Sequence, residues 1–245
     1  MARNTPIPHI SDEDRAFVRG LLIHEDDQVL AFNKPAGLAV QIAGGRGKSL
    51  DFLLWAFARS NGKRPRLVHR IDSGTTGVLV VARTKPAAAA LSQEFSDRKA
   101  SKTYLALISG QLPVADDGIC SEALLKVPSD RGGREKMISA PANQKGAMSA
   151  ETHWKILSRS DSFALVEAKP VTGRMHQIRA HMAALGSPIL GDRIYGSGKL
   201  SAERLMLHAA RLDIAHPEPG TERLQLEAPL PEDFLARMKE AALSV

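Results

Sequence analysis

The chain has 245 residues, 43% hydrophobic and 24% charged, a globular balance that excludes a disordered, collagenous or low-complexity polypeptide. Its single cysteine, Cys120, excludes an internal disulfide and every multi-cysteine zinc or iron–sulfur site. Lysine and arginine number 33 against 27 acids, and the net charge of +6 favours polyanionic partners at long range, though solubility alone is an equal reading of it.

Residues 1–20 read as a short polar arm with room for one helical turn. Acids stand where a secretion signal has its apolar stretch, and no apolar run reaches the roughly 18–20 residues of a membrane span. A cytoplasmic location is the expectation. Residues 28–33 are a short apolar strand that ends in the turn KPAGL. Residues 49–60 place apolar side chains at 50, 53, 54 and 57, which is helical spacing, with Ser49 suited to the N-cap. A short strand is expected at 66–71, then the polar turn 72–77, then the β-rich run VLVVA at 78–82. A helix over 86–97 has Pro86 in its first turn. Residues 101–109 alternate as a strand; 151–169 hold two strands with a turn at Ser160–Asp161. Thr172-Gly173 is expected to open a helix that runs to about Leu185 and stops at Gly186 and Pro188. A strand at 205–214 and a helix at 231–242 complete the chain. The pattern is α+β, a largely antiparallel mixed sheet with flanking helices, as one catalytic unit of two lobes sharing one sheet.

The basic residues are clustered. Arg59, Lys63, Arg64, Arg66 and Arg70 precede Asp72 with no acid among them; Arg98, Lys99 and Lys102 form a second group. The loop-like segment 128–149 carries Arg131, Arg134, Lys136 and Lys145. Aromatic residues are only 4%, too few for a platform that stacks many bases, so a nucleic acid would be held by backbone and shape.

Two segments carry chemistry. In LVHRIDSGTTGVLVVA, Gly74 and Gly77 let the chain turn sharply and place Asp72 at the mouth of a sheet; capping of its own turn is the competing role for Asp72. In TGRMHQIRAH, an expected helix puts Arg174 in the first turn, His176 and Arg179 on one face, and Gln177 and His181 four apart. A solvated polar face is the competing use. His176 and His181 lack the spacing and the intervening Glu of a zinc-protease helix. Tyr104 and Leu207, taken alone, are strand packing. GGRGKS is two residues short of the spacer of a phosphate loop, so a nucleoside triphosphate is not expected.

Together, HRIDSGTTGVLVVA, KTYLALISG, TGRMHQIRAHMAALGSPILGDRIYG and LMLHAARLDIAHP, preceded by FNKPAGLAV, resemble the RluA-type pseudouridine synthases from about residue 22 to 230. Departures are conservative: Ile71 for a more usual Leu, Thr76 for Ser, Met175 for Thr or Lys. The resemblance implies a catalytic domain over 22–245 after an N-terminal arm over 1–21, without the S4 RNA-binding domain of many relatives. It implies an isomerase that converts specific uridines in ribosomal or transfer RNA to pseudouridine, with no cofactor and no metal, acting on a structured stem-loop with a flipped uridine; a monomer is the default expectation, because no further interface-like apolar segment stands out. Asp72 would be the essential carboxylate, Arg174 its guanidinium partner, and Tyr104 the ring against the target base. His69 and Arg70 would complete the RNA-holding motif, Leu207 would wall the uracil, and Arg64, Arg66 and His176 would serve substrate binding. A non-catalytic RNA-binding protein on the same scaffold is the alternative. A nucleoside hydrolase is weaker, because that chemistry commonly uses two carboxylates and one is in evidence.

Overall fold

The structure is a computed structural model that describes residues 8–42, 47–60, 62–129, 135–196 and 202–244. Gly44, Gly45 and Arg46 of the GGRGKS segment, and Arg131 and Arg134 of the basic segment, lie outside the described residues. The chain divides into two compact units: residues 1–100 with 213–228, and residues 101–212 with 229–245.

The first unit opens on helix α1 (Asp12–Gly20), capped by the Ser11 hydroxyl, which accepts from the Asp14 N–H at 3.1 Å. The expected arm with one turn is therefore a nine-residue helix. Three acids in its first turn suit the positive end of the helix dipole, and Val18 is fully buried. Strands β1 (Leu22–Glu25) and β2 (Val29–Lys34) form a hairpin. The expected helix after Ser49 is one α-turn, α2 (Leu50–Leu53), continued as a 3₁₀ turn over Leu54–Phe57. Strand β3 is only Arg66–Leu67, and β4 (Thr76–Ala82) is buried along its whole length. β2 and β3 both pair antiparallel with β4, which is the apolar centre of this unit's sheet. Helix α3 (Lys85–Ser96) begins at the Thr84 cap with Pro86 in its first turn.

The second unit contains β5 (Ser101–Ser109), β6 (Asp117–Cys120), the hairpin β7 (Ala123–Pro128) and β8 (Glu135–Ala140), then β9 (Thr152–Arg159) and β10 (Phe163–Pro170). Part of the segment read as a loop, 128–149, is thus a strand. β5, β10, β9 and β6 lie side by side with antiparallel pairing, and β11 (Leu207–Ile214), whose last two residues fall past the unit boundary, borders β5. β12 (Leu224–Glu227) belongs to the first unit. Helices α4 (Gln177–Ala184) and α5 (Glu232–Glu240) complete the second unit. Its core joins Leu107, Ile108, Leu165, Val166, Met182 and Phe234. The elements are those of an α+β protein with mostly antiparallel strand pairing.

Helix α4 departs from expectation. It starts at Gln177, not at Thr172, and its N-cap position, His176, sits in the left-handed region with φ 52°. A polar loop over 171–176 replaces the first helical turn, so Arg174 is a loop residue. The physical reason lies in the side chains. Thr172 and Gln177 bond to each other and to backbone, competing with the turn that would have been helical.

Candidate active site

Asp72 lies on the turn between β3 and β4, and that turn is stapled from below. Lys34, the last residue of β2, is fully buried. Its ammonium donates to Pro35 O at 2.8 Å, Leu38 O at 2.9 Å and Ser73 O at 3.0 Å. A buried ammonium has three N–H donors to satisfy, and three carbonyls meet them. The Gly37 N–H donates to the same Ser73 oxygen at 2.8 Å, and the Thr75 N–H donates to the Asp72 carbonyl at 3.1 Å. The two turns KPAGL and DSGT are thereby tied together, with Asp72 half-buried between exposed Ser73 and buried Ile71. Of the two glycines singled out, Gly77 has φ 106°, which a side chain would strain; Gly74 has no positive φ.

The stretch before Asp72 divides by role. His69 Nε2 accepts the Val80 N–H at 3.0 Å, so that nitrogen is unprotonated, and the ring stacks on Phe95 at 4.4 Å. The imidazole takes a β4 donor just past the last β3–β4 pair, where the short strand has run out. Arg66 and Arg70 are exposed. Arg64 is held by Asp51 in a two-pronged pair at 2.7 and 3.1 Å, with its guanidinium 5.4 Å from the Trp55 ring centre. A cavity of about 410 Å³ is lined by Gln41, Asp51, Lys63, Arg64 and Arg66.

In the second unit, Tyr104 faces Ala168 in the β5–β10 register, two residues before the end of β10 and the 171–176 loop. Its ring is half-buried and packs on the core. Lys102 Nζ donates to Thr172 O at 3.5 Å, so the start of β5 and that loop share one end of the sheet. Arg174 is half-buried, and its Nε donates to Ser149 O at 2.9 Å. His176 Nδ1 stands 3.1 Å from the Tyr195 hydroxyl oxygen, which accepts the Met137 N–H at 2.8 Å. Leu207 is buried within the core at the start of β11.

Several supporting residues were not singled out from the sequence. Lys34 read only as part of a turn. Thr152 is another: the helical spacing marks Gln177 and His181, and both bond its Oγ1 at 2.9 Å. Asp192, in the loop after α4, receives Arg179 in a buried pair at 2.7 and 2.9 Å and also accepts the Ile194 and Tyr195 N–H groups. Burial pushes the Asp192 carboxyl up, but the Arg179 hydrogen bond and charge, with the two backbone donors, outweigh it, and its pKa is lowered. Among the described residues no group of three or more His, Cys, Asp or Glu side chains is placed to hold a metal ion. No helix among them is long and apolar enough to cross a membrane.

Residues 28–184 match the family model described as RNA pseudouridylate synthase. The chain is 38% identical over 216 residues to ribosomal large subunit pseudouridine synthase C of Rickettsia bellii, covering 87% of this chain and 69% of that protein. It is 37% identical over 204 residues to the dual-specificity RNA pseudouridine synthase RluA of Yersinia pestis, covering 82% and 95%. Among solved structures, human RNA pseudouridylate synthase domain containing 4 superposes with a TM-score of 0.78 at 27% identity, covering 95% of this chain and 98% of that one. The chain belongs to the RNA pseudouridylate synthase family. It is an isomerase whose substrate is RNA.

Proposed function

We propose that the chain isomerises specific uridines of ribosomal or transfer RNA, with Asp72 as the carboxylate on which the reaction depends. The N1–C1′ bond of uridine breaks, the base turns, and C5 bonds to C1′; C5 loses its proton and N1 gains one. No water or electron is consumed, so no cofactor is called for. Attack at C1′, attack at C6 and a glycal route each need an ionised carboxylate against the sugar and base. The observation that carries the reading is the anchored Asp72 turn. A carboxylate held rigidly at a partly open position meets its substrate without reorganising.

The other roles rest on resemblance to the family. Arg174 supplies the guanidinium that favours the charged carboxylate in a desolvated site. Tyr104 packs on the target base, with Leu207 as its apolar wall. Arg70 holds the RNA where the uridine has left its stack, an extrusion that costs roughly a few kcal/mol. His69 and His176 complete the RNA-holding surface, and Arg64 and Arg66 grip phosphates at the basic cavity. The same reading takes 1–21 as an N-terminal arm and 22–245 as the catalytic domain, working as a monomer in the cytoplasm on a stem-loop.

RNA carrying tritium at uracil C5 tests it. The wild-type chain releases tritium to water, and Asp72→Asn abolishes release while RNA binding persists. Turnover by that variant at the wild-type rate overturns the assignment.

A further inference from the structure

We propose that Thr152 and His181 are positioning residues for the isomerisation: through Gln177 they hold the loop that carries Arg174. This rests on Arg174 belonging to the catalytic site, as proposed above. The inference comes from the direction of each hydrogen bond in a buried chain within the second unit.

The direction is fixed at one end by a carbonyl. His181 is fully buried, and its Nε2 lies 3.1 Å from Glu122 O. A carbonyl only accepts, so Nε2 carries the ring proton and Nδ1 is a lone pair. The Thr152 hydroxyl, 2.9 Å from Nδ1, must then donate to it. Its oxygen accepts from Gln177 Nε2 at 2.9 Å, and the second amide hydrogen goes to Glu151 O at 2.9 Å. This sets which end of the Gln177 amide is nitrogen. The other end, Oε1, accepts from the Thr172 hydroxyl at 2.6 Å and from the Arg174 backbone N–H at 3.0 Å. The Thr172 oxygen in turn accepts the Glu151 N–H at 3.0 Å. Both donors and both acceptors of the amide are used.

A flipped amide would aim its NH₂ at the Arg174 N–H and its oxygen at Glu151 O, two repulsive contacts. Glu151 O and the Arg174 N–H thus fix the amide orientation, and the Thr152 hydroxyl, turned towards Nδ1 of the neutral His181, presents its oxygen to the remaining amide hydrogen and holds the side chain that closes the loop. The loop needs such a hold. It ends on His176 in the left-handed region, an uncommon conformation for a residue with a side chain. Arg174 is tied at two points, through its N–H to Gln177 and through Nε to Ser149 O. Releasing the first leaves the guanidinium on a looser tether. None of Thr152, Gln177 or His181 is exposed, so their action on RNA goes through Arg174.

Thr152→Val removes the hydroxyl and keeps the shape; Thr152→Ser restores the hydroxyl. Single-turnover tritium release at saturating RNA is measured for both, alongside thermal unfolding and RNA binding. The expected result is a fall in rate of about tenfold to a hundredfold for Thr152→Val, the scale of misplacing a catalytic group by an ångström, with RNA affinity unchanged and the rate recovered in Thr152→Ser. A merely structural role would lower the unfolding temperature yet leave the rate of folded enzyme at wild type, and that outcome overturns the proposal. Asp72→Asn and Arg174→Ala are run beside them. If either is fully active, the catalytic reading fails; if both are inactive while Thr152→Val turns over normally, only the positioning role fails.

Discussion

The ammonium nitrogen of Lys34 stands 3.0 Å from the carbonyl oxygen of Ser73, the residue that follows Asp72. It is a buried charge that donates to three backbone carbonyls. The two other carbonyls it reaches, those of Pro35 and Leu38, belong to the neighbouring turn. One side chain therefore organises both turns at that end of the first unit's sheet.

Lys34→Met keeps most of the volume and deletes the donor. The variant regains the cost of desolvating the ammonium. It leaves up to three carbonyls without that donor, each at about 1–3 kcal/mol when buried. Removing one partner of a buried polar set is the unfavourable case, unlike replacing the whole set with apolar groups. A loss of at least about 2 kcal/mol is expected in urea unfolding. Turnover should fall further than RNA affinity, since the affected turn carries Asp72. Wild-type stability together with wild-type turnover would remove Lys34 from this role.

Phosphate contacts are tested by salt. Each neutralised phosphate steepens the fall of log affinity against log salt by about 0.7–0.9. Arg66 is exposed at the basic cavity, so Arg66→Ala should flatten the slope by roughly that amount. Arg64 is already committed to Asp51 and to the Trp55 face. Arg64→Ala should flatten the slope less and destabilise the unit more, because it also strands Asp51. Filter binding over a salt series separates the two. Equal slopes for wild type and Arg66→Ala would take Arg66 out of the interface.

The elements legible in the sequence are those whose pattern is local. Ser101–Ser109 alternates and Pro86 suits a first helical turn, and both segments form where expected. The hairpin turn at Ser160–Asp161 is likewise in place. The strands without a clear sequence signal, Leu22–Glu25, Asp117–Cys120, Ala123–Pro128, Glu135–Ala140 and Leu224–Glu227, are short, partly exposed and carry charges, so their order comes from pairing with partners distant or weakly patterned in sequence. The start of α4 was misplaced because Thr172 and Gln177 prefer each other to the helix. The polar turn that carries Asp72 is legible in HRIDSGTTG, and the structure places a turn there between β3 and β4. Lys34 is not legible, because nothing in KPAGL shows that the lysine points inward to three carbonyls. The Thr152–Gln177–His181 chain joins two segments 25 residues apart, a relation that only the fold supplies.

Two buried groups make stability depend on pH in separate windows. Burial holds the His181 pKa below its ordinary value of 6.5, and the Glu122 carbonyl and carboxylate offset this only in part. As pH falls below 6.5, the unfolded chain takes up a proton on this residue that the folded chain refuses. The unfolded state then binds more protons, so stability is complete above 6.5 and declines below it, by up to about 1.4 kcal/mol per pH unit for one proton. Asp192 acts lower. Its folded pKa lies beneath the ordinary 3.8, chiefly through Arg179 working against burial. Its contribution is present above 3.8 and is lost as pH falls through the folded value. Urea midpoints between pH 8 and 3 check both. His181→Asn should be less stable at pH 8 and should lose part of the decline that begins below 6.5, while Asp192→Asn should keep that decline and lose about 3–5 kcal/mol at neutral pH, since it removes the carboxylate that faces the buried Arg179. If wild type and His181→Asn decline in parallel across pH 6.5 to 5, the histidine is not held neutral by the fold.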